Sequence, residues 1–307
     1  STANRPVAVG SCLFFVADDG SGDELWVSRV DTGQTFRVAD IEPGPRSSFP
    51  GSLTAAIASD GQPRLVFVAQ RVDLGAEDWA ARIPPQGITA SLLFDLFPGQ
   101  ASSSPVSLVS PRDGDGRPLP GAGVYFSATD GASGRQLWFT SGEPGDMSRL
   151  THFNPATGAA VQAVLGIAGR SPRRAYFRLL DPAASPGGTS LLGALYCTDS
   201  SPTGASAVLT NAGEPIAPGS TLLEVNSRIY LGVTDRLAGS ELAVIDLCPG
   251  DFDNSGSIEP GDLFDFLGSW LASYGQTGPI AGDVSYDSRV DMSDLFAFLD
   301  SYFRGCR

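Results

Sequence analysis

Two stretches near the C-terminus set oxygen-bearing side chains at the intervals a hard cation needs. In the first, Asp251, Asp253, Ser255, Glu259 and Asp262 fall at positions 1, 3, 5, 9 and 12 of a twelve-residue loop. Gly256 stands at position 6, where such a loop turns sharply, and Ser257 offers its carbonyl at position 7. The arrangement returns 32 residues later, where Asp283, Ser285, Asp287, Asp291 and Asp294 repeat the side-chain positions and Arg289 takes the carbonyl position. Oxygen ligands at this spacing suit Ca2+, so two Ca2+ sites are expected. The second is expected to be weaker, because Ser285 replaces an acid and Ser288 replaces the turn glycine. A non-glycine residue at positive φ costs about 1 kcal/mol. Residues 248–307 carry ten acids against three arginines. Crowded carboxylates repel until a cation neutralises them, which predicts folding coupled to Ca2+.

The rest of the chain offers little other chemistry. His152 is the one histidine, which excludes a histidine-rich metal site, and no Gly-x-Ser-x-Gly elbow accompanies it. Neither a phosphate-cradling glycine motif nor a Cys-x-x-Cys pair occurs. Asp18, Asp19, Asp130 and Asp235 could converge as the carboxylates of a glycosidase. They recur at equivalent turns, however, and a repeated acid is more simply a turn residue. Asp113 and Asp115 read in the same way as a solvated hairpin turn. No catalytic residue is expected, and the chain reads as a non-enzyme.

The elements that hold these residues follow from periodicity. Behind each acidic loop comes a helical run, Leu263, Phe264, Phe266, Leu267, Trp270 and Leu271, then Leu295, Phe296, Phe298, Leu299, Tyr302 and Phe303 at the same offset of 32. So small a module has more apolar side chains than it can bury. Phe264, Phe266, Trp270, Phe296, Phe298 and Tyr302 are therefore expected to supply a partner-binding surface.

Upstream, one phrase recurs: Glu24-Leu25-Trp26, Glu77-Asp78-Trp79, Gln136-Leu137-Trp138, Ala194-Leu195-Tyr196 and Glu241-Leu242-Ala243. A β-type run such as Leu13–Ala17 or Leu65–Ala69 precedes each copy. In the first two units Asp40-Ile41-Glu42-Pro43-Gly44 with Ser47-Ser48 matches Asp95-Leu96-Phe97-Pro98-Gly99 with Ser102-Ser103, offset by 55. About four short strands per period of roughly 50 residues is the signature of a β-propeller blade. The reading is a mainly β chain, with a five-bladed β-propeller over residues 1–246 and a small α-helical, EF-hand-like Ca2+ module over 248–307. The fifth unit lacks an obvious fourth strand, which residues 1–6 or the following module could supply. Trp26, Trp79 and Trp138 are read as packing between blades rather than as a sugar platform.

The formal charge of −14 makes nucleic acid an improbable partner, and no apolar run is long enough to span a membrane. All 20 basic residues are arginine. The chain begins at Ser1 and reads as the mature form of a secreted, extracellular protein, in keeping with four cysteines. Cys248 and Cys306 bracket the helical module, where a disulfide clasp would be worth roughly 4 kcal/mol. Cys12–Cys197 follows by elimination, with buried thiols or an intermolecular bridge as alternatives.

The Phe-Phe-x-Ala-Asp-Asp-Gly…Glu-Leu-Trp pattern at Phe14–Trp26, followed by Asp40-Ile41-x-Pro43-Gly44, resembles bacterial extracellular ELWxxDGT-type propeller repeats. The duplicated loop and helix over 248–307 resembles a type I dockerin. Together the resemblances imply a secreted propeller rigidly joined to a Ca2+-binding docking module. Its partner would be a cohesin-like domain or another copy of the chain, in a non-catalytic structural or adhesive role (surface layer, fibre or matrix). The alternative is a carbohydrate-binding or glycoside-hydrolase propeller docked on a cohesin scaffold, with polysaccharide as a further partner.

Overall fold

The computed structural model describes residues 5–83, 87–112, 116–168, 174–180, 193–198, 203–208, 216–225, 228–235, 239–246, 248, 250–252, 258–275, 282, 284 and 290–305. These form antiparallel sheets in which successive strands are neighbours. The first sheet holds β1 (Val7–Val9), β2 (Cys12–Asp18), β3 (Asp23–Arg29) and β4 (Thr35–Arg37). The second holds β5 (Gly51–Ile57), β6 (Pro63–Arg71), β7 (Gly75–Arg82) and β8 (Thr89–Phe94). In the third are β9 (Val106–Val109), β10 (Val124–Thr129), β11 (Arg135–Thr140) and β12 (Met147–Arg149). The fourth has β13 (Ala160–Ala168), β14 (Arg174–Leu180), β15 (Ala194–Thr198) and β16 (Ala205–Ala207). The fifth has only β17 (Pro218–Val225), β18 (Arg228–Asp235) and β19 (Gly239–Asp246) among the described residues. Two helices follow, α1 (Pro260–Ser273) and α2 (Met292–Arg304). Five complete blades are therefore not observed among the described residues, where the last unit shows three strands.

The chain divides into two compact units: residues 1–164, 177–193 and 202–204, and residues 165–176, 194–201 and 205–307. The first unit contains the first three sheets, the second contains the fifth sheet and both helices, and strands of the fourth sheet are shared between them. The division does not coincide with the change of composition near residue 247.

In the first unit, innermost strands follow one another, β1 against β5 and β5 against β9. Phe14, Leu25 and Val27 of the first sheet form one core with Leu65, Phe67, Trp79 and Ala81 of the second. Ala56, Val66, Ala80 and Leu93 of the second sheet form another with Val124 of the third. Such face-to-face burial explains the recurring Leu-x-Val and Phe-x-Ala alternation. Its rim is charged: Arg64, nearly buried, pairs with Asp60 at 2.7 Å and also with Glu143, which Arg82 pairs with as well.

The acid that opens each repeat phrase has a structural task. Glu24 is fully buried and accepts from Ile41 N (3.2 Å), Glu42 N (3.4 Å) and Ser48 Oγ (2.7 Å). Glu77 does the same for Leu96 N (3.1 Å), Ser103 N (2.9 Å) and Ser103 Oγ (2.6 Å). In the third sheet Gln136 Oε1 accepts from Thr151 Oγ1 (2.9 Å) and Phe153 N (3.1 Å), and its Nε2 donates to Phe153 O (2.9 Å). Each side chain thus satisfies backbone groups of a loop that would otherwise be buried unpaired. The loop then lies so close that only glycine fits before the strand. Gly22 (φ +92°) and Gly75 (φ +76°) are left-handed, and a Cβ on either would lie 2.3 Å from the carbonyl oxygen of Arg46 or Ala101. The same loops end in a repeated bulge, with Ser52 (φ 51°) and Ser107 (φ 55°) in the left-handed region at equivalent places in β5 and β9.

One member of the pattern breaks it. Asp78 occupies the position of Leu25, Leu137 and Leu195, all fully buried. It is 2% exposed, faces Val68 and Phe94 in register, and its Oδ1 has no hydrogen-bond partner among the described residues. Burial, with the neighbouring Glu77 charge, pushes its pKa well above the ordinary carboxylate value.

Candidate functional site

The duplicated helices form a reciprocal pair. Phe266 and Phe298 are buried at its centre and stack at 4.1 Å, with Phe252 edge-on to both. These two phenylalanines are core residues, which corrects the expectation that they face a partner. Trp270 and Tyr302 are half-buried, and the Trp270 indole N–H donates to Asp291 O at 2.7 Å. Phe264 (70% exposed) and Phe296 (64%) do point outward, and Leu271 and Phe303, two turns further along the same helices, are exposed as well. Each half also closes on the other. Gly250 approaches the backbone of Ser301 and Tyr302, where a Cβ would come within 2.8 Å, and its N–H donates to Ser301 Oγ at 2.9 Å. Gly282 approaches the Trp270 backbone in the same manner, at 3.1 Å for a Cβ.

Of the expected Ca2+ ligands, Asp253, Ser255, Ser257, Asp283, Ser285, Asp287 and Arg289 lie outside the described residues, as does Cys306. The described ligands sit at the loop–helix junctions. Asp262 and Asp294 are fully buried, and each accepts the backbone N–H three residues earlier, Glu259 N at 2.8 Å and Asp291 N at 2.9 Å. The two junctions are capping boxes that fix where each helix starts. Pro260 at the start of α1 adds a preset φ. Each loop thus ends in one buried carboxylate, an oxygen donor of the kind a hard cation takes. Among the described residues no group of three or more His, Cys, Asp or Glu side chains comes together.

Elsewhere the candidate residues take structural places. Asp18 Oδ1 accepts from Gly20 N and Gly22 N, Asp19 from Ser21, and Asp130 from Ala132 N and Ser133 N, so these acids close turns. Hydrogen bonding from Ser21 lowers the Asp19 pKa. Asp113 and Asp115 lie outside the described residues, as does the Asp235 side chain. His152 is exposed, Trp79 and Trp138 are buried, and Trp26 is half-buried. Cys12 and Cys197 are buried thiols and not a disulfide. Cys12 is packed in the core of the first two sheets, and Cys197 lies 3.5 Å from Arg174 Nη1. Elimination paired two residues that the fold uses separately, and the argument for an oxidising compartment loses half its cysteines. Cys248 Sγ sits 3.4 Å from Ser301 Oγ, near the end of α2.

The arrangement that sequence reading undervalued is the outer edge of the fifth sheet. Over eight residues β19 pairs with β18 on one side, and no described strand pairs with its other side. In the other sheets the equivalent strand is covered, as Trp26, Val27 and Ser28 are by Arg37, Phe36 and Thr35. The outer edge strands there are shorter, three residues in β4, β12 and β16 and six in β8. Leu25 and Val27 are fully buried, whereas their counterparts Leu242 (71%) and Val244 (47%) are exposed. Glu241, the counterpart of the clamping Glu24, is exposed too. Pro, Lys and Arg, residues that commonly blunt a strand edge, are absent from β19.

No protein-family model matches the chain and no curated protein matches it. Among solved structures it is similar to a puromycin hydrolase, at 12% identity and a TM-score of 0.49, over 80% of this chain and 37% of that one. A puromycin-hydrolyzing peptidase of Mycobacterium tuberculosis shares 11% identity at a TM-score of 0.48, over 84% and 38%. The β-propeller domain of the Trilobed protease from Pyrococcus furiosus shares 11% at 0.42, over 78% and 67%. This chain thus spans little more than a third of the length of the first two. These three are a hydrolase, a peptidase and the β-propeller domain of a protease. The expectation of a structural or adhesive propeller assembling through a dockerin-like module is withdrawn on that finding, and the glycosidase alternative is not favoured. At these identities the likeness is one of fold: a mainly β, propeller-like chain with two C-terminal helices.

Proposed function

We propose that this chain is a non-catalytic, propeller-type domain that takes up an extended polypeptide strand, in the setting of a peptide-cleaving enzyme. The observation that carries the reading is the eight-residue edge of β19, which no strand covers among the described residues. An extended chain that adds to a sheet edge is held by main-chain hydrogen bonds and so with broad sequence tolerance, which suits polypeptide as the ligand class. Hydrogen exchange tests it. In an antiparallel strand alternate amides face each neighbour, so every second amide of β19 should exchange fast in the unliganded chain. Adding a permanently unfolded reporter polypeptide should slow those amides at least tenfold. Unchanged exchange at saturating reporter would overturn the proposal.

Two Ca2+ ions are part of the same proposal, supported by the buried Asp262 and Asp294. Neutralising these carboxylates would tighten the loop–helix junctions and leave the second site the weaker. At a Ca2+ concentration 100 times Kd, each site would add about 2.7 kcal/mol. Excess chelator should therefore lower the melting temperature of the helical pair, and Asp262→Asn should remove about half of the response to saturating Ca2+. An identical melting curve with and without Ca2+ would count against both sites. The Cys248–Cys306 clasp is likewise proposed, supported by the place of Cys248 beside Ser301.

A further inference from the structure

Resting on the strand-uptake reading, we infer that β19 recognises one large apolar side chain of the incoming strand, the residue that lands opposite Leu242, and tolerates wide variation beside it. The complete sheets show what that place takes. Leu242 is the counterpart of Leu25, Asp78, Leu137 and Leu195, the second residue of each repeat phrase. Facing these four across the sheet are Val38, Phe94, Leu150 and Val208 in turn. Val38 N donates to Leu25 O at 2.8 Å, Leu150 N to Leu137 O at 2.8 Å and Val208 N to Leu195 O at 2.9 Å, and Phe94 stands in register with Asp78. All four are large and apolar, even where the facing residue is an acid. The two places beside them follow no such rule. Opposite Trp26, Trp79, Trp138 and Tyr196 stand Arg37, Leu92, Arg149 and Ala207. Opposite Val27, Ala80, Phe139 and Cys197 stand Phe36, Ser91, Ser148 and Ser206.

The fifth sheet supplies what such a residue would meet. Directly opposed residues of an antiparallel pair put their side chains on the same face, and diagonal neighbours lie within reach of a long side chain. A residue opposite Leu242 would therefore lie against Leu242 and diagonal to Val244, both exposed. The same apolar face continues from Val244 through Tyr230 to the exposed Leu223 in one cross-strand row. In register behind Leu242 stands Gly232, where a Cβ would meet nothing within 4 Å, so no β18 side chain bars the approach. A large apolar side chain gains by leaving water at this place, whereas a carboxylate would lose its water with Leu242 and Val244 as neighbours. Main-chain hydrogen bonds serve any sequence, so this contact is where β19 can discriminate. The ligand class is an extended polypeptide bearing a large aliphatic or aromatic residue.

A synthetic peptide with the sequence of residues 145–152 is the probe, since it carries Leu150 behind Ser148-Arg149. It should bind the full-length chain one to one by fluorescence anisotropy and slow exchange at β19. In the peptide, Leu150→Val and Leu150→Phe should hold the affinity within about threefold, and Leu150→Asp should weaken it by about tenfold or more. At physiological salt, where distant charges are screened, Arg149→Glu and Ser148→Ala should each cost less than about threefold. In the chain, Leu242→Arg lies at an exposed site and so is compatible with folding. It should reverse the preference, so that the Leu150→Asp peptide binds more tightly than the native one. If the Leu150→Asp peptide binds the native chain as tightly as the native peptide and slows β19 equally, the apolar anchor fails while strand uptake stands. The anchor fails in the same way if Arg149→Glu costs as much as Leu150→Asp. If no peptide changes exchange at β19, both fail. Both also fail if every β19 amide is already protected in the peptide-free chain.

Discussion

Glu24→Ala is expected to cost about 4 kcal/mol of stability, read from urea unfolding at constant m-value. Three buried donors lose their acceptor at once, the N–H groups of Ile41 and Glu42 and the hydroxyl of Ser48. A buried donor left unpaired costs roughly 1–3 kcal/mol, and bonds to a charged acceptor lie toward the upper end. Ser48 keeps a long contact to Asp23 O (3.3 Å), which limits its share. Glu24→Gln should cost about half as much. Gln136 manages the same place in the third sheet because carbonyls face its amide nitrogen, Ser133 O at 2.6 Å and Phe153 O at 2.9 Å. Glu24 is instead surrounded by donors, so one end of a glutamine there would meet an N–H. The order native, Gln, Ala is the test. A cost below 1 kcal/mol for alanine would mean that the loop from Ile41 to Ser48 is held by something other than this carboxylate.

Asp78→Leu is expected to act in the opposite direction and raise stability by about 2–4 kcal/mol at neutral pH. The buried acid leaves Oδ1 without a partner, and an unpaired polar group in an apolar site costs a few kcal/mol. Leucine fills the equivalent site in three other sheets, so the extra volume has a precedent within the chain itself. The sign of the pH dependence follows from the raised pKa. Asp78 binds its proton more tightly in the folded state. Its contribution is therefore complete below the unfolded pKa, near 4, and is lost as pH rises toward the folded value, with a slope of up to about 1.4 kcal/mol per pH unit. Burial also raises the Glu77 pKa, which adds a slope of the same sign. Stability measured from pH 4 upward should fall in the native chain and fall less in Asp78→Leu. Asp78→Asn should flatten the curve equally without the apolar gain. Equal slopes in all three would show that Asp78 is ionised in the fold.

The repeats were legible because burial imposes a two-residue alternation, and the runs Leu13–Ala17 and Leu65–Ala69 stand inside strands β2 and β6. The clamp was half visible. A glutamate inside an apolar strand, with Asp-Ile-x-Pro-Gly and Ser-Ser recurring at a fixed offset downstream, is its signal, but sequence does not say that the two meet. Phe264 and Phe266 show why the helix face was misjudged. Both are large and apolar, and only the contact between twin helices decides that Phe266 stacks on Phe298 while Phe264 faces out. The cysteines failed for a different reason. Parity constrains pairing only if every thiol is paired, and Cys12 and Cys197 each serve as small apolar core residues.

The reciprocal glycines of the helical pair carry a consequence for its ancestry. Gly250 of the first half rests on the end of α2, and Gly282 of the second half rests on the end of α1. Neither half supplies the surface that its own loop closes on. A single loop–helix copy would have had to find that surface on a second molecule, in an equilibrium that dilution dissolves. Joining two copies in one chain replaces that encounter with an internal one at millimolar effective concentration. Tandem duplication would have freed an ancestral dimer from its dependence on abundance, and from then on the two halves could diverge, as Ser288 opposite Gly256 already records.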